Sequence, residues 1–254
     1  MVHEARVFAE AIAREAGRVT LKYFRRKITV EHKLDNSPVT VADREAETVL
    51  RDLIHSRYPD HAIIGEELGE GGSTGSPFTW VLDPIDGTKS FVKGVPLYCV
   101  LIALLYERQP VLGVIHNPAL EETVSAASGA GCSFQGQPAR VSAVDSLSEA
   151  WLMLTDPAEL ARLRPDLGRR LYQTVGHVRT WADAYGYLMV ATGRAEIMLD
   201  PIMNLWDVAA LQPIIEEAGG RFTDLDGNDN ATGSNALATN GLLHDAVLAL
   251  RVPQ

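Results

Sequence analysis

Apolar side chains recur at helical spacing in two segments near the start of the chain. Between residues 5 and 25 every third or fourth position is apolar, which predicts one amphipathic helix. The same spacing predicts a second helix from about Val41 to Arg57. The polar, turn-rich segment 31–38 between them predicts a loop. The apolar positions of the first helix are Phe8, Ile12, Ala16, Val19 and Tyr23.

Shorter apolar runs follow, and each predicts a strand. The runs Tyr98–Tyr106 and Val111–His116 are separated by four polar or turn-forming residues, which predicts a hairpin. The Gly- and Ser-rich stretch Leu68–Pro77 predicts a surface loop. The other strands predicted in this half are His61–Gly65, Thr79–Leu82, Glu122–Ala126 and Gly131–Phe134.

Strands and helices alternate beyond about residue 140, where a turn-rich stretch ends. We expect one unit over residues 1–254, with an α+β subdomain at 1–140 and an α/β subdomain at 141–254. This organisation implies packed layers of helices and sheets. The predicted elements of the second half are strands Trp151–Leu154, Ala195–Leu199, Arg221–Thr223 and Ala236–Thr239, and helices Thr180–Thr192, Trp206–Ala218 and one from Leu242.

Composition and charge leave room for a large core and argue against some partners. The chain has 254 residues, is 46% hydrophobic and carries a formal net charge of -10. Neither nucleic acid nor an anionic membrane is therefore expected as the main partner. An anionic substrate stays compatible, because bound metal ions reverse the local field. Two cysteines and the lack of a signal-like N-terminus indicate a reduced, cytoplasmic protein.

Two carboxylates three residues apart stand at the end of a predicted buried strand. Asp83 and Asp86 flank a turn that Pro84 restricts, and Gly87 lets the backbone approach a ligand closely. The next helix is expected to begin near Thr88, with its free N–H groups aimed at the same point. Hard oxygen ligands for divalent cations beside anion-binding amides are what phosphate-ester chemistry requires.

Further acidic residues fall at the ends of predicted elements. Asp43 lies near a helix start, Glu66 and Glu67 follow a strand, and Asp207 lies at another helix start. Each alone has an ordinary structural explanation: a helix-dipole charge, a solvated loop or a helix cap. The pair in the Asp-Pro-Ile-Asp turn is, taken alone, also compatible with turn residues.

Several motifs, in this order, resemble the inositol monophosphatase superfamily of metal-dependent phosphatases. The resemblance implies an α+β / α/β fold, a layered αβαβα sandwich of the inositol monophosphatase / fructose-1,6-bisphosphatase type. The segment Ser37–Asp43 matches a further loop of that family. The motifs are Gly65-Glu66-Glu67, Asp83-Pro84-Ile85-Asp86-Gly87-Thr88, and Trp206-Asp207-Val208-Ala209-Ala210 followed by Glu217-Ala218-Gly219-Gly220.

The resemblance also implies a metal-binding set for two to three Mg²⁺ ions. Glu66, Asp83 and the Ile85 carbonyl would hold one ion, and Asp83, Asp86 and Asp207 would hold a second. Glu66 would help to hold a third, weaker ion near residues 31–43. Mg²⁺ fits these positions because all the donors are hard oxygens.

The catalytic and phosphate-binding roles come from the same resemblance. Thr88 and Asp43 would form a hydroxyl–carboxylate pair that orients the attacking water, with Glu66 a further catalytic group. The backbone N–H groups of Gly87 and Thr88 would bind phosphate oxygens. Glu67 would contact the metal ligands and would not bind a metal ion itself.

The organic half of the substrate is expected to meet the segment Arg179–Tyr187. Inositol phosphatases typically carry small residues here, whereas this chain has Trp181 in place of a family Gly and Asp183 in place of a family Ala. Asp200 aligns with a family acid that contacts inositol hydroxyls. Two acids and an aromatic wall suit an imidazole-bearing aminoalcohol. Asp183 also fits a helix N-terminal acid, and Trp181 fits core or dimer packing.

This segment resembles the histidinol-phosphate phosphatases of the superfamily. The expected function is therefore hydrolysis of a small-molecule phosphate monoester, L-histidinol phosphate, to L-histidinol and phosphate in histidine biosynthesis. An inositol-1-monophosphatase of the same fold is the nearest alternative. A regulatory member associated with RNA and the transcription machinery is a further one, and the acidic charge argues against it. A homodimer is expected from the resemblance alone.

Overall fold

The computed structural model describes residues 2–33, 37–181, 183–229 and 233–251, and the bounds of their regular elements follow. The helices are α1 (Val2–Leu21), α2 (Val41–Arg57), α3 (Thr88–Val92), α4 (Pro157–Leu163), α5 (Pro165–Thr174), α6 (Ala184–Ala191), α7 (Leu205–Val208), α8 (Leu211–Glu217) and α9 (His244–Ala249). The strands are β1 (Val30–His32), β2 (Pro38–Thr40), β3 (Ala62–Gly65), β4 (Gly69–Gly72), β5 (Phe78–Asp86), β6 (Cys99–Tyr106), β7 (Gln109–Asn117), β8 (Glu122–Ala127), β9 (Cys132–Phe134), β10 (Gln137–Pro138), β11 (Trp151–Leu154), β12 (His177–Arg179), β13 (Ile197–Asp200), β14 (Arg221–Thr223) and β15 (Ala236–Thr239).

An eight-stranded sheet in the order β10-β9-β8-β7-β6-β5-β3-β4 forms the larger half of the fold. Its neighbours are antiparallel except β3 and β5, which run parallel, so the C-terminal ends of these two strands meet at one edge. The predicted hairpin is confirmed as β6–β7. Its turn is shorter than predicted, because Glu107 and Arg108 both adopt positive φ and close a two-residue connection.

Alternating side chains of β5 pack into two different hydrophobic layers, one on each face of the large sheet. Trp80 and Leu82 of β5 pack with α1 and α2, whereas Val81 between them packs on the opposite face against α6 and α8. This alternation is the period-2 pattern of a strand buried on both faces. It places helices on both sides of the strand that carries the Asp-Pro-Ile-Asp turn.

A five-stranded sheet in the order β12-β11-β13-β15-β14 forms the next layer. Met198 of β13 faces α6 and α8, whereas Leu199 packs on the other face with α4, α5 and α9. Helices, sheet, helices, sheet and helices therefore alternate through the molecule. This arrangement confirms the predicted αβαβα sandwich, while the subdomain division at residue 140 stays a prediction.

Helices α4 and α5 were not predicted, because each begins with a proline. Pro157 and Pro165 interrupt the apolar pattern, but each occupies the first turn of a helix, α4 and α5, where a missing N–H costs nothing. The predicted continuous helix Trp206–Ala218 is divided into α7 and α8, and Pro213 lies in the first turn of α8, where its ring would clash with the Ala209 carbonyl of an unbroken helix. The predicted helix from Thr180 begins only at Ala184.

Two predicted loops contain short strands. The segment 31–38 includes most of β1 and the start of β2, which pair antiparallel; its residues 34–36 lie outside the described part of the chain. The Gly-rich segment 68–77 includes β4, which pairs with β3 through backbone hydrogen bonds despite its exposed side chains. Among the described helices, none combines the length and apolar character needed to cross a membrane.

Candidate active site

The Asp-Pro-Ile-Asp turn ends β5 within the core. Asp83 is 1% exposed, and its Oδ1 accepts a hydrogen bond from the backbone N–H of Ile85 at 2.9 Å. The pairing of β5 with β6 is displaced between Asp83 and Asp86, so the strand is irregular where the two acids stand. The turn thus holds two carboxylates at the edge of the large sheet.

Glu66 reaches the same edge because β3 runs parallel to β5. Its backbone N–H donates to the Leu82 carbonyl at 3.1 Å. The buried Glu47 secures this turn by accepting the N–H of Glu67 at 2.8 Å. Gly65 is needed for this close approach, since a Cβ there would lie 2.1 Å from Glu47 Oε1. Glu47 is therefore a supporting residue that the sequence analysis missed.

Asp207 joins the two acids of β5 from the start of α7. Its Oδ2 accepts the backbone N–H of Asn204 at 2.7 Å in a capping box. Carboxylate oxygens of Asp83, Asp86 and Asp207 lie within 4.8 Å of one another. These hard oxygens, at a spacing that a single ion can bridge, fit Mg²⁺ well. Asp207 is thus both a helix cap and part of the acidic cluster.

Mutual repulsion and burial make the cluster electrostatically costly without a cation. Burial, followed by the charge of Glu66, raises the pKa of Asp83 well above its ordinary value. Burial also raises the pKa of Asp86 strongly, with the charge of Asp183 as the next cause. The pKa of Asp207 is raised to about 6, again chiefly by burial. A divalent cation would offset this cost, which is a further argument for a metal site.

The metal-free protein should lose stability as the pH rises from about 6.5 to 8. Asp83, Asp86 and Asp200 have raised pKa values, that of Asp200 about 7, so the folded state binds more protons than the unfolded one and stability falls with pH. Burial lowers the pKa of His116 and His244 to about 4, so these residues act oppositely, but only below about pH 6.5.

Thermal unfolding in excess chelator at several pH values measures this effect. A constant or rising Tm over this range would contradict it, and Mg²⁺ should reduce the decline.

Lys33 lies beside Glu66, the residue expected to help hold a third ion. Its ammonium Nζ lies 2.7 Å from Glu66 Oε1 and 2.7 Å from Glu67 Oε1. These contacts raise the pKa of Lys33 despite the opposing effect of burial. Glu67 thus pairs with Lys33 and lies outside the three-carboxylate cluster. The third ion beside Glu66 stays a prediction, and it would have to compete with this lysine.

Thr88 and Asp43, the expected hydroxyl–carboxylate pair, are not hydrogen-bonded to each other, and their joint role in orienting a water stays a prediction. The Thr88 hydroxyl donates to the Ile85 carbonyl at 3.0 Å, because the tight turn brings that acceptor back toward it. Asp43 Oδ2 accepts the backbone N–H and the hydroxyl of Thr40 at 2.8 and 2.6 Å. Asp43 Oδ1 is buried and has no hydrogen-bond partner among the described residues.

Gly87 connects the acidic turn to α3 in a left-handed conformation. Its φ of 82° is one that side-chain-bearing residues rarely adopt. A Cβ at this position would also lie 2.9 Å from Asp183 Oδ2. Gly87 therefore leaves room for a carboxylate beside the predicted phosphate-binding amides of Gly87 and Thr88.

A cleft of about 520 Å³ opens next to the acidic cluster. Asp183 and Asp200, two of the predicted substrate-side residues, both line it. Burial raises the pKa of Asp183 to about 6 and that of Asp200 to about 7. A larger cleft of about 800 Å³ lies beside α9, where Arg164 and Asp226 pair at 2.8 Å, far in sequence from the motif residues.

Trp181 does not line this cleft, which corrects the predicted aromatic wall. It is 43% exposed and its ring stacks on Trp151 with centroids 6.1 Å apart. The Arg179 guanidinium lies over both rings at 5.3 and 5.7 Å. The stack extends the sheet edge formed by β11 and β12, so the ring is drawn toward its strand neighbours. The packing alternative for Trp181 fits this position.

Five polar or charged residues of the cleft were not predicted, and besides Asp156 and Glu159 they are Thr155, Lys89 and Tyr187. Thr155 stands directly after β11, Lys89 lies in α3, and Tyr187 is buried in α6 with its hydroxyl donating to Asp200 at 3.1 Å. Thr155 had a detectable signal, because it follows a predicted strand as Asp83 does. Tyr187 ends the segment Arg179–Tyr187 and Lys89 directly follows the motif that ends at Thr88, but nothing in their spacing marks them as cleft residues.

Comparison with known proteins identifies the fold and the chemistry together. Residues 1–253 match the model of the inositol monophosphatase family. A histidinol-phosphatase of Chlorobaculum parvum is 43% identical over 240 residues, which cover 90% of this chain and 92% of that protein. A histidinol-phosphatase of Mycobacterium tuberculosis is 40% identical over 257 residues, covering 98% of each. The solved structure of the extragenic suppressor protein suhB from Bartonella henselae has a TM-score of 0.92 at 26% identity, covering 97% of this chain and 98% of that chain.

The comparisons agree with the geometry of the site. The cluster of Asp83, Asp86 and Asp207 could bind a metal ion, and one solved structure of the same fold, an IMPase/NADP phosphatase at 22% identity, is complexed with Mg²⁺ and phosphate. Phosphate monoesters are the typical substrates of the family. The chain belongs to the inositol monophosphatase family and is a metal-dependent phosphomonoesterase.

Proposed function

We propose that this phosphatase hydrolyses L-histidinol phosphate to L-histidinol and phosphate. The observation that carries the proposal is the position of Asp183 and Asp200 in the cleft beside the acidic cluster. L-Histidinol bears an ammonium and an imidazole, whereas inositol is neutral. Carboxylates in a partly buried cleft favour the cationic alcohol. The names of the two relatives, both histidinol-phosphatases at 40% identity or more, agree with this substrate.

The charge of the whole cleft supports the same choice. Of the described residues that line it, six are acidic and one, Lys89, is basic. A neutral polyol would gain hydrogen bonds from such a surface but would not offset its charge. A cationic ligand would offset the charge and so lower the raised pKa values of Asp183 and Asp200. The six acids are Asp86, Asp156, Glu159, Asp183, Asp200 and Asp207.

The residues at the acidic turn would hold two Mg²⁺ ions. Glu66, Asp83 and the Ile85 carbonyl form one donor set, while Asp83, Asp86 and Asp207 form the other. The Ile85 carbonyl accepts the Thr88 hydroxyl and keeps a second lone pair for a ligand. When bound, Mg²⁺ supplies Lewis-acid polarisation of the phosphate ester and a more acidic water.

The protein's own groups would orient the reactants. Asp43 Oδ1 is a buried oxygen with a free acceptor position, and burial raises the pKa of Asp43 to about 6. A carboxylate with this pKa can accept a proton from water near neutral pH. The N–H groups of Gly87 and Thr88 would hold phosphate oxygens, which leaves the alcohol directed into the cleft.

The substrate preference should be large and can be measured directly. We expect kcat/KM for L-histidinol phosphate to exceed that for inositol 1-phosphate by about 100-fold, about 3 kcal/mol of differential binding. Phosphate release by the purified full chain with Mg²⁺ in excess gives both values. A higher kcat/KM for inositol 1-phosphate would contradict the proposal and favour the inositol-1-monophosphatase alternative.

Other measurements test the remaining expectations. A homodimer and two to three Mg²⁺ ions per site are part of the proposed function and rest on the family resemblance, whereas the proposed cytoplasmic location rests on the two reduced cysteines. Calorimetric titration with Mg²⁺ would give the number of ions, and light scattering would give the oligomeric state.

A further inference from the structure

Asp183 adopts a backbone conformation that residues with side chains avoid. Its φ is 53° and its ψ is -154°, a region occupied almost only by glycine. Such a conformation persists only where neighbouring contacts enforce it, and it occurs preferentially at functional sites. Contacts with neighbouring residues must therefore hold Asp183 in this conformation.

Hydrogen bonds fix the backbone on both sides of this residue. The Asp183 N–H donates to the Thr155 hydroxyl at 3.1 Å, and the next N–H, that of Ala184, donates to Asp86 Oδ2 at 2.5 Å. The Asp183 carbonyl accepts the N–H of Gly186 at 3.0 Å as α6 begins. One contact thus comes from the acidic cluster and another from Thr155.

Thr155 also holds the second substrate-side acid. Its backbone N–H donates to Asp200 Oδ1 at 3.3 Å, while the Tyr187 hydroxyl donates to Asp200 Oδ2 at 3.1 Å. This arrangement follows from topology, because β11 runs parallel to β13 with Leu154 opposite Leu199, so the next residues of each strand are neighbours. A single residue therefore contacts both Asp183 and Asp200.

The strained geometry directs the Asp183 carboxylate toward the phosphate-binding turn. Asp183 Oδ2 lies 3.5 Å from the Ser90 hydroxyl and close to Gly87. We propose that Thr155 is a positioning residue that clamps Asp183 and Asp200 so that both carboxylates face the cationic alcohol of the substrate. This inference rests on the proposed function and adds to it a specific determinant of substrate selectivity.

The first test compares a substitution that removes the Thr155 hydroxyl with one that keeps it. Thr155→Val removes the hydroxyl and keeps the N–H, whereas Thr155→Ser keeps both. We expect Thr155→Val to raise KM for L-histidinol phosphate about tenfold with kcat changed less than about threefold, and Thr155→Ser to stay within about twofold of wild type. For p-nitrophenyl phosphate, which has no cationic group, KM should change less than about twofold.

The control is Thr174→Val, which removes an exposed hydroxyl that donates to the Arg170 carbonyl on α5, and it should leave both substrates unaffected. Calorimetric binding of L-histidinol should weaken by the same factor as KM rises in Thr155→Val. An unchanged KM in Thr155→Val, or an equal rise for both substrates, would overturn the proposal.

A second test examines the strain and does not depend on turnover. Asp183→Gly and Asp183→Ala both remove the carboxylate, but only glycine tolerates the observed φ and ψ. We expect Asp183→Gly to melt about 2–4 °C above Asp183→Ala. In an unstrained site the order would reverse, because glycine has more conformational freedom to lose on folding. A higher Tm for Asp183→Ala than for Asp183→Gly would therefore overturn the proposed clamp, even if Thr155→Val did not fold.

The outcomes separate this inference from the proposed function. A wild-type preference for inositol 1-phosphate would overturn the proposed function and the selectivity role of Thr155 together. A wild-type preference for L-histidinol phosphate with an unaltered Thr155→Val variant would overturn only the role of Thr155.

Discussion

Replacing Asp83 by asparagine should reduce kcat by at least about 10³-fold, since bound metal supplies several kcal/mol of transition-state stabilisation. Asp83 is the acid that belongs to both donor sets, so the substitution removes one negative charge from each. Asparagine keeps the shape of the side chain and an oxygen that can accept the Ile85 N–H. The substitution therefore removes charge and keeps the hydrogen bond. Steady-state kinetics over a range of Mg²⁺ concentrations would measure the fall in kcat.

Unfolding experiments distinguish loss of metal binding from loss of structure. Asp83 is buried and repelled by neighbouring acids, so a neutral asparagine should leave the metal-free Tm equal to or above that of wild type. The rise in Tm that Mg²⁺ gives the wild type should be lost in the variant.

Asp166→Asn supplies a matched control for this substitution. Asp166 pairs with Arg169 on the exposed side of α5, and the variant should retain activity and the Mg²⁺ response. Turnover by Asp83→Asn within tenfold of wild type, with a normal Mg²⁺ response, would contradict the assigned role.

The part of the site that the sequence predicts is the part that strand ends determine. Asp83 and Asp86 follow an apolar run that is long enough to be a buried strand, so their place at a sheet edge follows from the pattern alone. Glu66 required one more fact, that β3 pairs parallel to β5, which brings both strand ends together. The family motifs implied that Glu66 joins these acids, but the strand pairing that brings it there was not predicted.

The residues that were missed or misplaced depend on contacts between distant parts of the chain. Thr155 meets Asp183 only because β11 ends next to the start of α6, and Lys33 meets Glu66 across 33 residues of sequence. Trp181 stacks on Trp151 rather than lining the cleft, because the edge of the small sheet offers it a ring partner. None of these three pairings is encoded in local spacing. The sequence therefore predicts which acids stand at strand ends, whereas the structure is needed for the groups that orient them.

Substituting alanine for Gly87 should lower kcat/KM for L-histidinol phosphate by about 10²-fold, the size of effect expected from an error of about 1 Å in substrate placement. Two independent costs coincide here. The φ of 82° places a side chain in the left-handed region, at about 1–2 kcal/mol. The new methyl group would also meet Asp183 Oδ2 at 2.9 Å and displace either the carboxylate or the turn.

Gly75→Ala isolates the first cost, because Gly75 has a φ of 85° and no atom within 4 Å of the position of a Cβ. That variant should lose about 2–8 °C in Tm and keep wild-type kinetics. Gly87→Ala should lose more stability than Gly75→Ala, and in an Asp183→Ala background the excess should disappear, since the carboxylate it meets is gone. Equal losses for the two glycines, or an excess that persists without Asp183, would show that the carboxylate does not rest against this turn. The double-mutant cycle thus tests by stability alone whether Asp183 and the phosphate-binding turn are in contact.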